Sequence, residues 1–90
     1  MSNKAFPTSV QVTLEGNTRR VSTAFEALEC LLGSWPITAS REYRSAVRAC
    51  RDCLDGLSSP VAAYRAFKAA CRELMRYYEN SASNRREQAA

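Results

Sequence analysis

The chain has no histidine. That removes every Ser/His and Cys/His arrangement for nucleophilic catalysis, along with the commonest metal ligand. Glycine is scarce, with single residues at 16, 33 and 56, so no glycine-rich phosphate loop can form. No run approaches the roughly 18 apolar residues that a membrane-spanning helix needs. The first ten residues also lack the apolar centre of a secretory signal. Four cysteines (Cys30, Cys50, Cys53, Cys71) without such a signal read as the reduced thiols of a cytoplasmic protein, with no membrane partner. Lysine is nearly absent as well: two residues against eleven arginines.

Ninety residues bound the chain to one domain. The apolar fraction of 46% is that of a globular protein rather than a disordered one. The net charge of +4 is uneven: residues 1–37 sum to zero, residues 38–80 to +3 and the remainder to +1. This excess permits a nucleic-acid or acidic partner without demanding one.

Residues 1–8 read as a flexible leader and residues 9–80 as the domain. From Ser9 to Leu14 apolar and polar residues alternate, the pattern of a half-buried strand. Gly16-Asn17 is suited to a two-residue hairpin turn, and Thr18 to Val21 returns as a second strand. Thr23-Ala24-Phe25-Glu26 fits a capping box ahead of a helix carrying Phe25, Leu28, Leu31 and Leu32. Gly33 stops that helix, and Trp35, preceding Pro36, is held in extended backbone. Ser40 caps a second helix, where Tyr43, Ala46, Val47, Cys50, Cys53, Leu54 and Leu57 share one face. Gly56 ends it. Ser59-Pro60 opens a third helix, expected to reach about Glu79, with Tyr64, Phe67, Cys71, Leu74, Met75 and Tyr78 inward. Residues 81–90 carry no apolar pattern and read as a disordered tail. The expected fold is therefore α+β: an N-terminal β-hairpin followed by three α-helices in a single small domain.

These residues carry a family resemblance. Ala27-Leu28, Trp35-Pro36, Tyr43, Ala46, Cys50, Leu54-Asp55-Gly56 and Arg65-Ala66-Phe67, with Ala70 and Glu73, resemble a family of short bacterial proteins known as domain of unknown function 982. The resemblance spans roughly residues 10–75. It implies a small stand-alone α+β protein and brings no activity, substrate or cofactor. Cys53 and Tyr64 stand where small residues are usual in that pattern.

Three constellations could carry function. Cys50-Arg51-Asp52-Cys53 has redox spacing, but it lies inside a helix on the apolar side, away from the helix N-terminus that activates such thiols. Cys30 and Cys71 stand isolated on other helices, so a zinc site lacks its second ligand pair. Core packing is the reading preferred for all four. Arg44 and Arg48 on the second helix, with Arg65, Lys68, Arg72 and Arg76 on the third, form stripes that could meet phosphates or an acidic partner. The bland alternative is a solvated face, with Arg48–Asp52 and Arg51–Asp55 neutralised at i,i+4. A helix-turn-helix reading fails because Pro60, Val61, Ala62 and Ala63 would occupy the base-reading positions. Last, Ala62, Ala66, Ala69 and Tyr77 form a small-residue face open to protein contact.

No catalytic, cofactor-binding or metal residue is assigned. The sequence favours a non-enzymatic interaction module with a protein partner, a second copy of the chain among the candidates. Nonspecific nucleic-acid binding through the arginine stripes is the alternative.

Overall fold

The computed structural model describes the backbone of residues 4–14 and 16–89, and the side chains among them except at 34 and 80–89. Five elements follow in order: β1 (Ala5–Leu14), β2 (Asn17–Thr23), α1 (Ala24–Ser34), α2 (Arg41–Leu54) and α3 (Pro60–Ala89). The two strands form an antiparallel hairpin and three helices follow, so the α+β expectation holds.

The hairpin begins earlier than its alternation suggests. Val10 faces Val21 and Leu14 faces Asn17, but at the far end Ala5 faces Thr23, so β1 carries three extra residues in an irregularity between Ala5 and Val10. Pro7 lies within this irregularity, where its missing N–H takes no bond from the ladder. The bulge returns Phe6 to the inner face, where it is buried. Its ring meets Tyr64 edge-on at 5.6 Å and Phe67 at 6.1 Å. The flexible leader assigned to residues 1–8 is thus corrected from Ala5 onward, while residues 1–3 lie outside the described residues. The turn also moves by one residue. Leu14 pairs with Asn17, so Asn17 is already in β2, and Gly16 before it turns the chain at φ +84°.

Each helix starts where a side-chain oxygen takes an orphan amide. Thr23 Oγ1 accepts from the Glu26 amide at 3.1 Å, and the Glu26 carboxylate accepts from the Ser22 amide at 2.8 Å. Ser40 Oγ accepts from Tyr43 and Ser59 Oγ from Ala62, each at 3.1 Å. Gly56, at φ +80°, closes α2 as its amide reaches the Cys53 carbonyl.

The core is made of smaller residues than the apolar stripes suggest. In α1, Ala24, Ala27, Cys30 and Leu31 are buried while Phe25 and Leu32 are exposed. In α3, Ala63, Phe67, Ala70 and Leu74 are buried while Met75 is exposed, and Leu57 lies in the open beyond α2. Small side chains sit where helix backbones approach closely, and the larger ones move to the flanks. Trp35 is buried against Phe67 at 5.8 Å, its backbone extended, its indole N–H without a hydrogen-bond partner among the described residues. Helix α3 lies under β1 and α1 under β2, and α2 packs on both helices from the far side.

Helix α3 continues to Ala89, ten residues past the expected end and through the segment read as a disordered tail. Residues 80–89 contain no proline or glycine to stop a helix once α3 has nucleated it. Ala90 lies outside the described residues.

Candidate functional site

Leu14 faces Asn17 with two residues between them in the sequence, which makes them a hydrogen-bonded pair, and pair type alternates along an antiparallel ladder. Val10, Val12 and Leu14 therefore direct their backbone groups to β2, and Gln11 and Thr13 direct theirs to the open side. Among the described residues, no backbone bond beyond the hairpin's own reaches Gln11 or Thr13. Their side chains lie on the solvent face, where Thr13 Oγ1 meets Thr18 Oγ1 at 3.1 Å. Beside this edge runs a groove of about 450 Å³, lined by Gln11, Val12, Thr13, Cys71, Leu74, Met75, Tyr78 and Glu79. Its floor is apolar, and Met75, 64% exposed, stands on its rim. An open strand edge beside an apolar helix flank is the geometry into which an added strand fits.

The arginine stripes are not brought together. Arg44 and Arg48 edge a groove of about 340 Å³ between α1 and α2, with Leu32, Tyr43, Val47, Arg51 and Asp52. On α3, Lys68 leans the other way: its Nζ lies 5.4 Å from the Tyr64 ring, which itself meets Phe6 of β1. Arg65 and Arg72 are exposed. Arg76 lines a separate notch with residues 36–39, Glu42, Glu73 and Tyr77. The α2–α3 interface therefore divides the two stripes. The expected neutralising pairs do not form either. Among the described residues the ion pair within 4 Å is Arg19–Glu29, at 3.4 Å, while Arg48–Asp52 and Arg51–Asp55 stay apart. At exposed helix positions such pairs gain too little to fix two long side chains.

The small-residue face is partly used inside the molecule. Ala62 and Tyr77 are exposed, but Ala66 and Ala69 are half-buried, and Ala66 packs against the core. On the same flank the Ser40 hydroxyl donates to Glu73 at 2.6 Å, tying the start of α2 to α3. These alanines admit α2.

The cysteines are free. Cys50 and Cys53 are fully buried side by side on α2. Burial, and then the neighbouring Cys53, pushes the Cys50 thiol up to about 12. Burial pushes Cys71 up to about 12 as well; Cys30 adds to the rise and Lys68 opposes it. Cys30 is raised by burial and pulled back by Arg19. Protonated thiols are poor nucleophiles and poor metal ligands. Among the described residues no three His, Cys, Asp or Glu side chains gather as a metal site would require. Cys30 nonetheless lies close enough to Cys71 to raise it electrostatically, so the two are not the isolated residues expected from the sequence. No described helix is long and apolar enough to cross a membrane.

Residues 7–75 match the family described as Protein of unknown function (DUF982). The chain belongs to this family. Neither a curated protein nor a solved structure matches it. The residues that carry the DUF982 resemblance mostly build the frame. Trp35, Ala46, Cys50, Phe67 and Ala70 are buried. The Tyr43 hydroxyl donates to the Leu31 carbonyl at 2.9 Å, and Glu73 holds Ser40. The groove residues Tyr78 and Glu79 lie beyond the stretch matched to DUF982. The groove leaves no motif in the sequence: it arises where the outward flank of α3 passes the open edge of β1. The one available signal was a strand with no charged residue, beside a helix with more large apolar residues than its core uses.

Proposed function

We propose that this protein is a non-enzymatic interaction module that binds protein by strand addition along β1. The observation that supports this reading is the open, uncharged edge at Gln11 and Thr13 beside the apolar groove of Cys71, Leu74, Met75 and Tyr78. A two-stranded hairpin is marginal in water, and a third strand would satisfy its exposed amides and carbonyls. Alternate side chains of that strand would descend onto Leu74 and Met75. Four free, mostly buried thiols fit a reducing compartment, and we place the protein in the cytoplasm.

The test is site-specific photo-crosslinking in living cells, with a photoreactive phenylalanine analogue at Met75 and, as control, at Arg65 on the solvent side of α3. A discrete covalent adduct at Met75 and none at Arg65 is expected. No adduct at Met75, or the same adducts at both positions, would refute the reading.

The arginines carry a second reading, nonspecific nucleic-acid binding. Its support is that Arg44, Arg48, Arg65, Arg72 and Arg76 have no ion-pair partner among the described residues. Against it stands their division over two surfaces. Binding of duplex DNA across a salt series decides: engagement of both stripes gives a slope of several units, at roughly −0.9 per phosphate neutralised. No binding at low salt would eliminate it.

A further inference from the structure

We infer that the strand added to β1 is β1 of a second copy, paired antiparallel about a twofold axis at Val12. The inference rests on the reading of the open edge as the contact surface and names its occupant.

Three observations select a second copy. First, the outward residues must supply the hydrogen-bonded pairs of any new ladder, and these are Gln11 and Thr13. An antiparallel copy satisfies both when Gln11 faces Thr13 of the other chain and Thr13 faces Gln11. That register places Val12 opposite Val12 and Val10 opposite Leu14. Val10-Gln11-Val12-Thr13-Leu14 reads apolar, polar, apolar, polar, apolar in either direction. The twofold operation therefore sets apolar on apolar toward the helices and amide on hydroxyl toward solvent, as an isologous interface requires.

Second, β1 from Ala5 to Leu14 contains no charged residue, so two copies meet without like-charge repulsion. The other edge of the hairpin differs. β2 carries Arg19 and Arg20, so a β2–β2 pairing centred on this stretch would bring arginines of the two copies together. Charge thus discriminates between the two edges and directs self-association to β1.

Third, α3 lies under β1, so the twofold brings two α3 helices alongside each other beneath a four-stranded sheet ordered β2–β1–β1–β2. Met75, exposed on the groove rim, falls on the seam between them, with Cys71 and Tyr78 behind it. The seam covers the apolar surface that a single copy leaves in water.

Sedimentation of the purified full chain between roughly 1 µM and 1 mM, the range where small interfaces dissociate, tests this. A concentration-dependent rise from 10.0 kDa to twice that mass is expected. The Gln11 and Thr13 amides should exchange more slowly as dimer forms. The double variant Gln11→Glu/Thr13→Glu sets carboxylates directly opposite one another twice across the axis and should weaken the dimer roughly tenfold or more. Within one chain the new carboxylate at position 11 faces Arg20, so the hairpin itself gains a favourable pair. Mixing this variant with Gln11→Lys/Thr13→Lys should restore a heterodimer, which a merely misfolded variant could not do. A monomer throughout the range would overturn the inference. So would a dimer indifferent to both charge variants. If the purified chain is a monomer yet Met75 still crosslinks in cells, the second copy is wrong while strand addition by another protein stands.

Discussion

The two edges of the hairpin belong to the same small sheet and are built in opposite ways. Along β2, Arg19 reaches back to Glu29 of α1 at 3.4 Å, and Arg20 stands exposed beside it. Charged side chains on an edge strand discourage pairing with other strands. Along β1 there is no charge, the outward backbone groups at Gln11 and Thr13 have no partner among the described residues, and an apolar groove lies alongside. One edge is closed by electrostatics and the other is left open beside a surface that can take side chains.

The largest break in this comparison comes from Phe6→Ala. Phe6 anchors the start of β1 through its contacts with Tyr64 and Phe67. Truncating a buried phenylalanine costs about 3–5 kcal/mol. A domain of this size has a stability of about 5–15 kcal/mol, so the variant should lose a large share of it and unfold at a markedly lower temperature. Thermal unfolding followed by circular dichroism measures it. If the loss is under about 1 kcal/mol, Phe6 is not the anchor, and β1 is held by the hairpin alone.

Below the hairpin the same asymmetry reappears in the thiols. Cys30, behind Arg19, is raised less than Cys71, which burial holds at about 12. An unfolded thiol releases its proton near the ordinary value of 9.0, whereas folded Cys71 keeps its proton to about 12. Between these values the unfolded state binds fewer protons, so stability is complete below pH 9 and declines as pH rises. The slope approaches about 1.4 kcal/mol per pH unit for each such thiol. Cys50 contributes in the same direction. The midpoint of urea unfolding should fall steeply above pH 9, and Cys71→Ala should flatten that fall more than Cys30→Ala does. Equal slopes in the two variants would show that burial holds the two thiols protonated alike.

The turn joining the two edges is next in size. Gly16 adopts φ +84° with open space around the position of a Cβ. Gly16→Ala therefore meets no clash and shows the backbone preference alone, about 1–2 kcal/mol. The same substitution at Gly33, which meets no close atom and has no positive φ, should leave the unfolding midpoint nearly unchanged.

How much of this was legible follows the range of the interactions. The caps at Thr23, Ser40 and Ser59 were readable because each uses a side chain within three residues of its target amide. The Val10–Leu14 strand was readable from its own alternation. Phe6 was not, because a bulge breaks the period of two between Ala5 and Val10, and the contacts that justify it come from α3, about sixty residues on. The inner face of α3 was misplaced because size was taken as the mark of burial. Ala63 and Ala70 go inside where helices meet closely, and this turns Met75 outward. The arginine stripes were each visible as a helical face, but their separation depends on how α2 and α3 are rotated against each other, which no spacing within one helix encodes. The groove lies at the end of the same chain of dependence, needing both the bulged strand and the rotated helix.

The smallest expected effect on stability sharpens the contrast most. Arg19→Ala/Arg20→Ala removes the guard from β2. The Arg19–Glu29 pair is half exposed on both sides, and pairs of that kind contribute at most about 1 kcal/mol. Unfolding should therefore shift little. Association should shift qualitatively. With both edges uncharged, a dimer joined through β1 would present two bare β2 edges, one at each end of its four-stranded sheet, and further copies could add there. Sedimentation should then show species larger than a dimer, growing with concentration, while the wild type stops at two. If the double variant stops at two as well, charge is not what closes the β2 edge, and its shielding must come from α1, which lies directly beneath it.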